Sequence, residues 1–238
     1  MPDPLGVDYH VHSTFSDDAV SSLSENIAAA HLIGLRELRL VDHVRQSTAW
    51  VPDFVAAVAA EQIPDGLMIV TGVEAKMLDS AGRLDIPSDL IIGKRGVDAV
   101  LIADHQFPGT DGPWSPREVR ARIARGLIVS DAIDLLVGAL IAAMESVPSA
   151  QLAHCFSILP KVGLNEDDLT AQHLNAWASV AARTGTLIEV NEKWACPGPR
   201  ALAAARQAGA TVVASTDSHI ASDIGRYERV AEMLGAMP

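Results

Sequence analysis

Seven short runs rich in Val, Ile and Leu recur along the chain with helix-forming segments between them, and this alternation restricts the fold more than any other feature of the sequence. The runs are Gly6 to His12, Leu38 to His43, Met68 to Met77, Ala99 to His105, Gln151 to Cys155, Thr186 to Asn191 and Thr211 to His219. The segments between them are Ala-rich and carry helix signals. Ser22 and Glu25 form a capping box, and Ser115, Pro116 and Glu118 form another, with proline at the first helical position and Gly126 as the stop. Pro199 to Gln207 reads as a helix ending at Gly209, and Ile128 to Met144 as a helix facing the core. Strand, helix, strand repeated over the whole length demands parallel pairing, so a barrel or a doubly wound sheet follows. No internal repeat, low-complexity tract or linker marks a boundary, and residues 1–238 are expected to form one domain.

Composition narrows the function classes. The net charge of -12 argues against a grip on long nucleic acid through its phosphates, although part of that charge suits carboxylates that expect cations. Cys155 and Cys196 lack CxxC spacing, which speaks against a disulfide scaffold or a thiolate zinc site and suits a reducing cytoplasm. The start MPDPLGV has no signal-peptide pattern, and the longest apolar run, Leu135 to Met144, is too short to span a bilayer. A cytoplasmic protein without membrane contact is the expectation.

The histidines carry the functional signal. His10, His12, His43, His105, His154 and His219 each fall at the C-terminal end of a strand-like run or one step beyond it, whereas His31 and His173 fall inside helical segments. Carboxylates join the same layer: Asp17 and Asp18 after the first run, Asp42 beside His43, Glu74 in the third run, and Asp217 in STDSH. In parallel α/β folds the C-terminal strand ends converge on one face, which carries the site. His10 and His12, like Asp217 and His219, are two residues apart and would share a side of their strands. Six imidazoles with several carboxylates and no thiolate suit zinc, iron or manganese. Without cations, the gathered carboxylates would repel one another and titrate upward.

In order and spacing, HxH followed by FSDD, then VDH, Glu74, His105, AHC and STDSH resembles the polymerase and histidinol phosphatase (PHP) superfamily over nearly the whole chain. That resemblance implies a distorted seven-stranded TIM-like barrel with two or three divalent transition metals on its C-terminal face. By analogy His10, His12, Glu74 and Asp217 would hold the first metal, Glu74, His105 and His154 the second, and Asp18, His43 and His219 the third. Asp17 is an outer candidate at the position next to Asp18. The amidohydrolase type of HxH barrel is a poorer match, because its bridging ligand is commonly a modified lysine at the end of strand four, where this chain has His105.

Metals in such a site would lower the pKa of a shared water toward neutrality, so no side-chain nucleophile is required. Glu74 and Asp217 would serve catalysis as ligands, and Asp17 is one candidate to protonate the leaving group. Arg45, Asn191, Lys193 and Arg226 are candidate contacts for a small phosphorylated substrate, and Asn191 could alternatively orient a ligand by hydrogen bonds. Trp50, Phe107, Trp114 and Trp194 lie in loops that could wall a pocket, although ordinary packing accounts for each. The expectation is a phosphomonoesterase, with histidinol phosphate the leading candidate of the family. Phosphodiester or protein-phosphotyrosine hydrolysis with the same metals, and a non-catalytic metal-stabilised module, are the alternatives.

Overall fold

The computed structural model describes residues 4–148 and 150–235. Seven parallel strands make one sheet in the order β1 (Val7–Val11), β2 (Glu37–His43), β3 (Met68–Lys76), β4 (Ala99–Ala103), β7 (Ala150–Ala153), β8 (Leu187–Asn191) and β9 (Val212–Ser215). The remaining strands, β5 (Phe107–Gly109) and β6 (Gly112–Trp114), form a small antiparallel hairpin. The sheet curls until β9 returns to β1. At this seam Val11 bridges Ser218, and the His12 amide donates to the Ser218 carbonyl at 2.8 Å. The result is a nearly closed TIM-like α/β barrel, one of the two arrangements that the alternation allows and the one that the family resemblance implies.

Helices α1 (Leu23–Leu32), α2 (Val51–Ala60), α3 (Pro116–Ala124), α4 (Val129–Ser146), α5 (Ile158–Val162), α6 (Ala171–Thr184) and α7 (Pro199–Ala208) connect the strands, and α8 (Arg229–Gly235) follows the last. Both expected capping boxes form: the Ser22 and Ser115 side chains accept the Glu25 and Glu118 amides, while those glutamates reach back to the cap amides. Each such cap contributes about 1 kcal/mol by pairing helix-end N–H groups that would otherwise face water or nothing. Helix α7 ends at Gly209, whose φ of 76° turns the chain into β9 at no Cβ cost. In α4, Ile133, Leu136, Val137, Leu140 and Met144 share one buried face, as the apolar spacing predicts. Phe54 of α2 and Trp177 of α6 are fully buried in the same apolar layer outside the sheet. Truncating either to Ala would cost about 3–5 kcal/mol. Among the described residues no helix is long and apolar enough to cross a membrane.

Several strands stop before the sequence suggests, β4, β7 and β9 by two residues or more. β4 ends at Ala103 because Asp104 turns aside to accept the Ser157 hydroxyl (2.7 Å) and the Ile158 amide (3.2 Å). β9 ends at Ser215 because buried Asp8 captures the next residue, accepting Thr216 N–H at 3.0 Å and Thr216 Oγ–H at 2.6 Å. Asp217 then adopts a positive φ of 56°, so Asp217 and His219 converge through a turn and not through strand alternation.

Candidate metal centre

Strand ends bring the dispersed polar residues to one mouth of the barrel. Glu74, in the ladder opposite His43, lies at the centre with its side chain buried. Its Oε1 is 3.1 Å from His105 Nε2 and 3.0 Å from His154 Nε2. Its Oε2 is 3.4 Å from His10 Nε2, 3.5 Å from His12 Nε2 and 2.9 Å from His43 Nδ1. One carboxylate therefore meets five imidazoles. Asp217 Oδ1 lies 3.3 Å from His12 Nε2 and 3.9 Å from His10 Nε2. On the solvent side, Asp18 Oδ2 lies 3.4 Å from His43 Nε2 and 3.3 Å from His219 Nε2.

A family model described as the PHP domain matches residues 8–193. The chain belongs to the PHP domain family. It is 25% identical to a protein of Shewanella sp. (strain MR-4) named "Probable phosphatase", over 97% of this chain and 83% of that one. It is 27% identical to a "Probable phosphatase" of Shewanella sediminis, over 96% of this chain and 84% of that one. Among solved structures it resembles the histidinol phosphate phosphatase of Lactococcus lactis, crystallised with zinc, L-histidinol and phosphate. There the TM-score is 0.65, the identity 16%, and the cover 96% of this chain and 91% of that one.

The donor atoms of this PHP barrel are arranged for cations and poorly for one another. Three sets, His10–His12–Asp217, His43–Glu74–His105 and His12–His43–His219, each place their donor atoms within 4.8 Å of one another. His10 Nε2 and His12 Nε2 stand 3.0 Å apart. His10 Nδ1 lies 2.9 Å from Glu189 Oε2, and a proton held there would leave the Nε2 lone pair for a metal in this cluster. The buried Glu74 Oε2 has no hydrogen bond of good geometry despite its close imidazoles. Nitrogen donors about 3 Å apart, each with a metal-bond length of about 2.0–2.1 Å, fit a shared transition ion such as zinc.

The local field points the same way. Burial disfavours the His10 imidazolium, but Glu189 and Glu74 outweigh it and hold His10 well above the usual imidazole value. His154 is likewise pushed up to about 10, burial being overcome by Asp104 and Glu74. Burial pushes His12 down to about 3, which keeps it a neutral lone-pair donor near pH 7. Glu74 is held well below the carboxylate range: burial opposes ionisation, and His105 and His10 prevail. Asp217 is also lowered, its bond to His12 and the charge of His10 overcoming burial. The carboxylates that draw protons onto His10 and His154 also draw metal cations.

The recess above this cluster has a volume of about 330 Å³ and is lined by Asp17, Asp18, Arg45 and Lys193 beside the imidazoles. Lys193 Nζ lies 3.4 Å from Asp217 Oδ2. Arg226 is set apart in an adjoining recess, its Nε donating to the Ser222 carbonyl. Asn191 is fully buried, which corrects the expectation of a substrate contact and leaves that of orienting a ligand. Its amide is spent internally: Nδ2 donates to Glu189 at 2.5 Å, and Oδ1 accepts the Trp194 amide at 2.8 Å. Of the four loop aromatics, only Trp194 lines the recess. Trp50 packs against Phe15 and Phe54, while Phe107 and Trp114 stack within the hairpin.

Asp104 and Glu189 escape the sequence pattern, and Asp42, expected in the same layer as the ligands, serves a neighbouring loop instead. Asp42 faces away from the imidazoles and accepts Ser13 N–H (2.9 Å), Ser13 Oγ–H (2.6 Å) and Ser16 Oγ–H (2.7 Å), pinning the loop that leads to Asp18. Asp104 lies 3.3 Å from His154 Nδ1, and Glu189 bonds His10. The available signal was an acid inside an otherwise apolar strand, as in LIEVN.

Proposed function

We propose that this protein is a metal-dependent phosphatase that hydrolyses a small phosphomonoester. The observation carrying this reading is the convergence of Glu74 and Asp217 with six strand-end imidazoles at the floor of a recess whose rim holds Lys193 and Arg45. His10, His12, Glu74 and Asp217 would hold one transition metal, Glu74, His105 and His154 a second, and Asp18, His43 and His219 a third. When bound, such metals supply an activated water near neutral pH and neutralise charge on the phosphoryl oxygens. The chain's own residues do the rest. Lys193 and Arg45 bind the dianion at the rim, and the recess admits a compact ester in preference to a folded polymer. Asp17, exposed at the same rim, is the candidate to take up the proton shed by the attacking water and pass it to the departing alkoxide.

Membership of the PHP family and the names of the relatives support the phosphatase class. Histidinol phosphate heads the substrate panel because the Lactococcus lactis structure of the same fold holds L-histidinol and phosphate. The test is release of inorganic phosphate from metabolite monophosphates and p-nitrophenyl phosphate, using protein stripped of metal and reloaded with manganese or zinc. Turnover that never exceeds the metal-only blank would end the enzymatic reading. Preference for bis-p-nitrophenyl phosphate would replace the monoesterase with a diesterase.

A further inference from the structure

Strand β8 supplies none of the nine candidate ligands, yet it carries a wholly enclosed carboxylate. Glu189 is completely buried, and both its oxygens are engaged. Oε2 lies 2.9 Å from His10 Nδ1 and accepts Gln151 Nε2–H at 2.8 Å. Oε1 accepts the His154 amide at 3.1 Å and Asn191 Nδ2–H at 2.5 Å. Behind it the buried Arg39 guanidinium donates to Gln151 Oε1, so a chain of donors runs from the barrel floor to the cluster.

We propose that Glu189 is a positioning residue that sets three candidate ligands at once: His10, His154 and, through Asn191 and Trp194, Asp217. An ionised carboxylate on Nδ1 fixes the proton there, aims the Nε2 lone pair of His10 at the cluster and strengthens it as a donor. The bond from the His154 amide anchors a residue whose φ is 31°, a conformation that needs outside support. Asn191, held by Oε1, fixes the Trp194 amide, and Trp194 Nε1–H donates to Asp217 Oδ2 at 2.8 Å, leaving Oδ1 toward His12. An apolar residue would fill the barrel without the desolvation cost of a charge, so the carboxylate points to a role toward its ligands.

This inference rests on the metal reading above, and the experiment separates the two. Chelator competition gives the zinc affinity of the wild-type protein and of Glu189→Gln. Gln keeps one acceptor but sets its NH2 against donors on the other side. The variant is expected to bind zinc about 10–100-fold more weakly, as for other groups that orient a ligand. At saturating zinc its KM for p-nitrophenyl phosphate should stay unchanged, because Glu189 touches no substrate. Nitrogen NMR of zinc-loaded wild type should show a solvent-protected Nδ1 proton on His10, and the variant should lose that protection. Wild type that binds no zinc would sink the metal reading itself. Wild type that binds normally, beside a variant with equal affinity and an unchanged His10 proton, would overturn only the role of Glu189. Should Glu189→Gln fail to fold, Asn191→Ala carries the test, since it keeps the carboxylate while releasing Oε1 and the Trp194 amide. A fall in zinc affinity of about 10-fold supports the proposal, and wild-type affinity refutes it.

Discussion

Replacing Lys193 by Met tests whether this ammonium serves the substrate or the metal ligands. Met keeps much of the stem and removes the charge. Lys193 Nζ sits 3.4 Å from Asp217 Oδ2 and 3.4 Å from His219 Nδ1, with 45% of its side chain exposed. At that exposure the ion pair to Asp217 contributes about 0–1 kcal/mol. Trp194 Nε1–H still donates to the same oxygen at 2.8 Å, so metal content should hold. A charge-assisted bond to phosphate contributes about 1.5–3 kcal/mol, and the half-exposed site calls for the lower part of that range. A loss of about 1.5–2 kcal/mol is a fall of roughly 10–30-fold in kcat/KM, carried by KM if ground state and transition state are held alike. Initial rates on p-nitrophenyl phosphate, with elemental analysis of the same samples, measure both quantities. A kcat/KM within about twofold of wild type would refute the phosphate role. Lost metal with unchanged KM would move Lys193 to the ligand side.

Glu74→Ala should abolish metal uptake and turnover together, because it removes the one carboxylate that meets five imidazoles; elemental analysis and phosphatase rates check this. Chelation of the wild-type protein should lower its melting temperature, and reloading with zinc or manganese should restore it, since ions bound only by the folded state stabilise it by mass action. His173→Ala should cost about 0.5–1 kcal/mol in urea melts and leave turnover intact, because His173 accepts the Thr170 amide at the start of α6 and meets Asp134 far from the recess. Abolished activity there, with His105→Ala intact, would invalidate the strand-end assignment. Asp8→Asn should show a pH-dependent deficit. Burial pushes Asp8 up to about 6 against donors from Thr216, Gly225 and His10, so the folded state takes up a proton first, and wild type gains up to about 3 kcal/mol as pH falls from about 7 to about 4. The stability gap in urea melts should therefore widen toward acid, and a constant gap would refute this account.

The barrel was legible because alternation of apolar runs with capped helices leaves few arrangements open, and because every strand-end histidine inherits its place from that topology. Glu74 and Asp18 were legible through spacing within the family pattern. The acids behind the ligands were not, since an isolated Glu in LIEVN or Asp in VDYHV declares its burial only when neighbouring strands supply its partners. Glu189 bonds residues 35 and 179 positions away, His154 and His10, and no local periodicity encodes such pairs. Asn191 misled for a related reason: strand alternation sets it on the side of Glu189, which takes its amide before any substrate could. Asp217 and His219 reached the expected place by an unexpected route, a turn that Asp8 enforces from the opposite edge of the seam.

The ligand set is graded in depth. The side chains of His10, His12, His154 and Glu74 are almost wholly enclosed, whereas His219, His43, His105 and Asp18 are 20%, 26%, 35% and 53% exposed. Cations sharing this cluster would leave in sequence. The outermost, between Asp18, His43 and His219, would exchange with bulk solvent first, and any held on the enclosed floor would exchange more slowly. Washing time and dilution would then decide how many ions a preparation retains, and a fractional stoichiometry would record its handling.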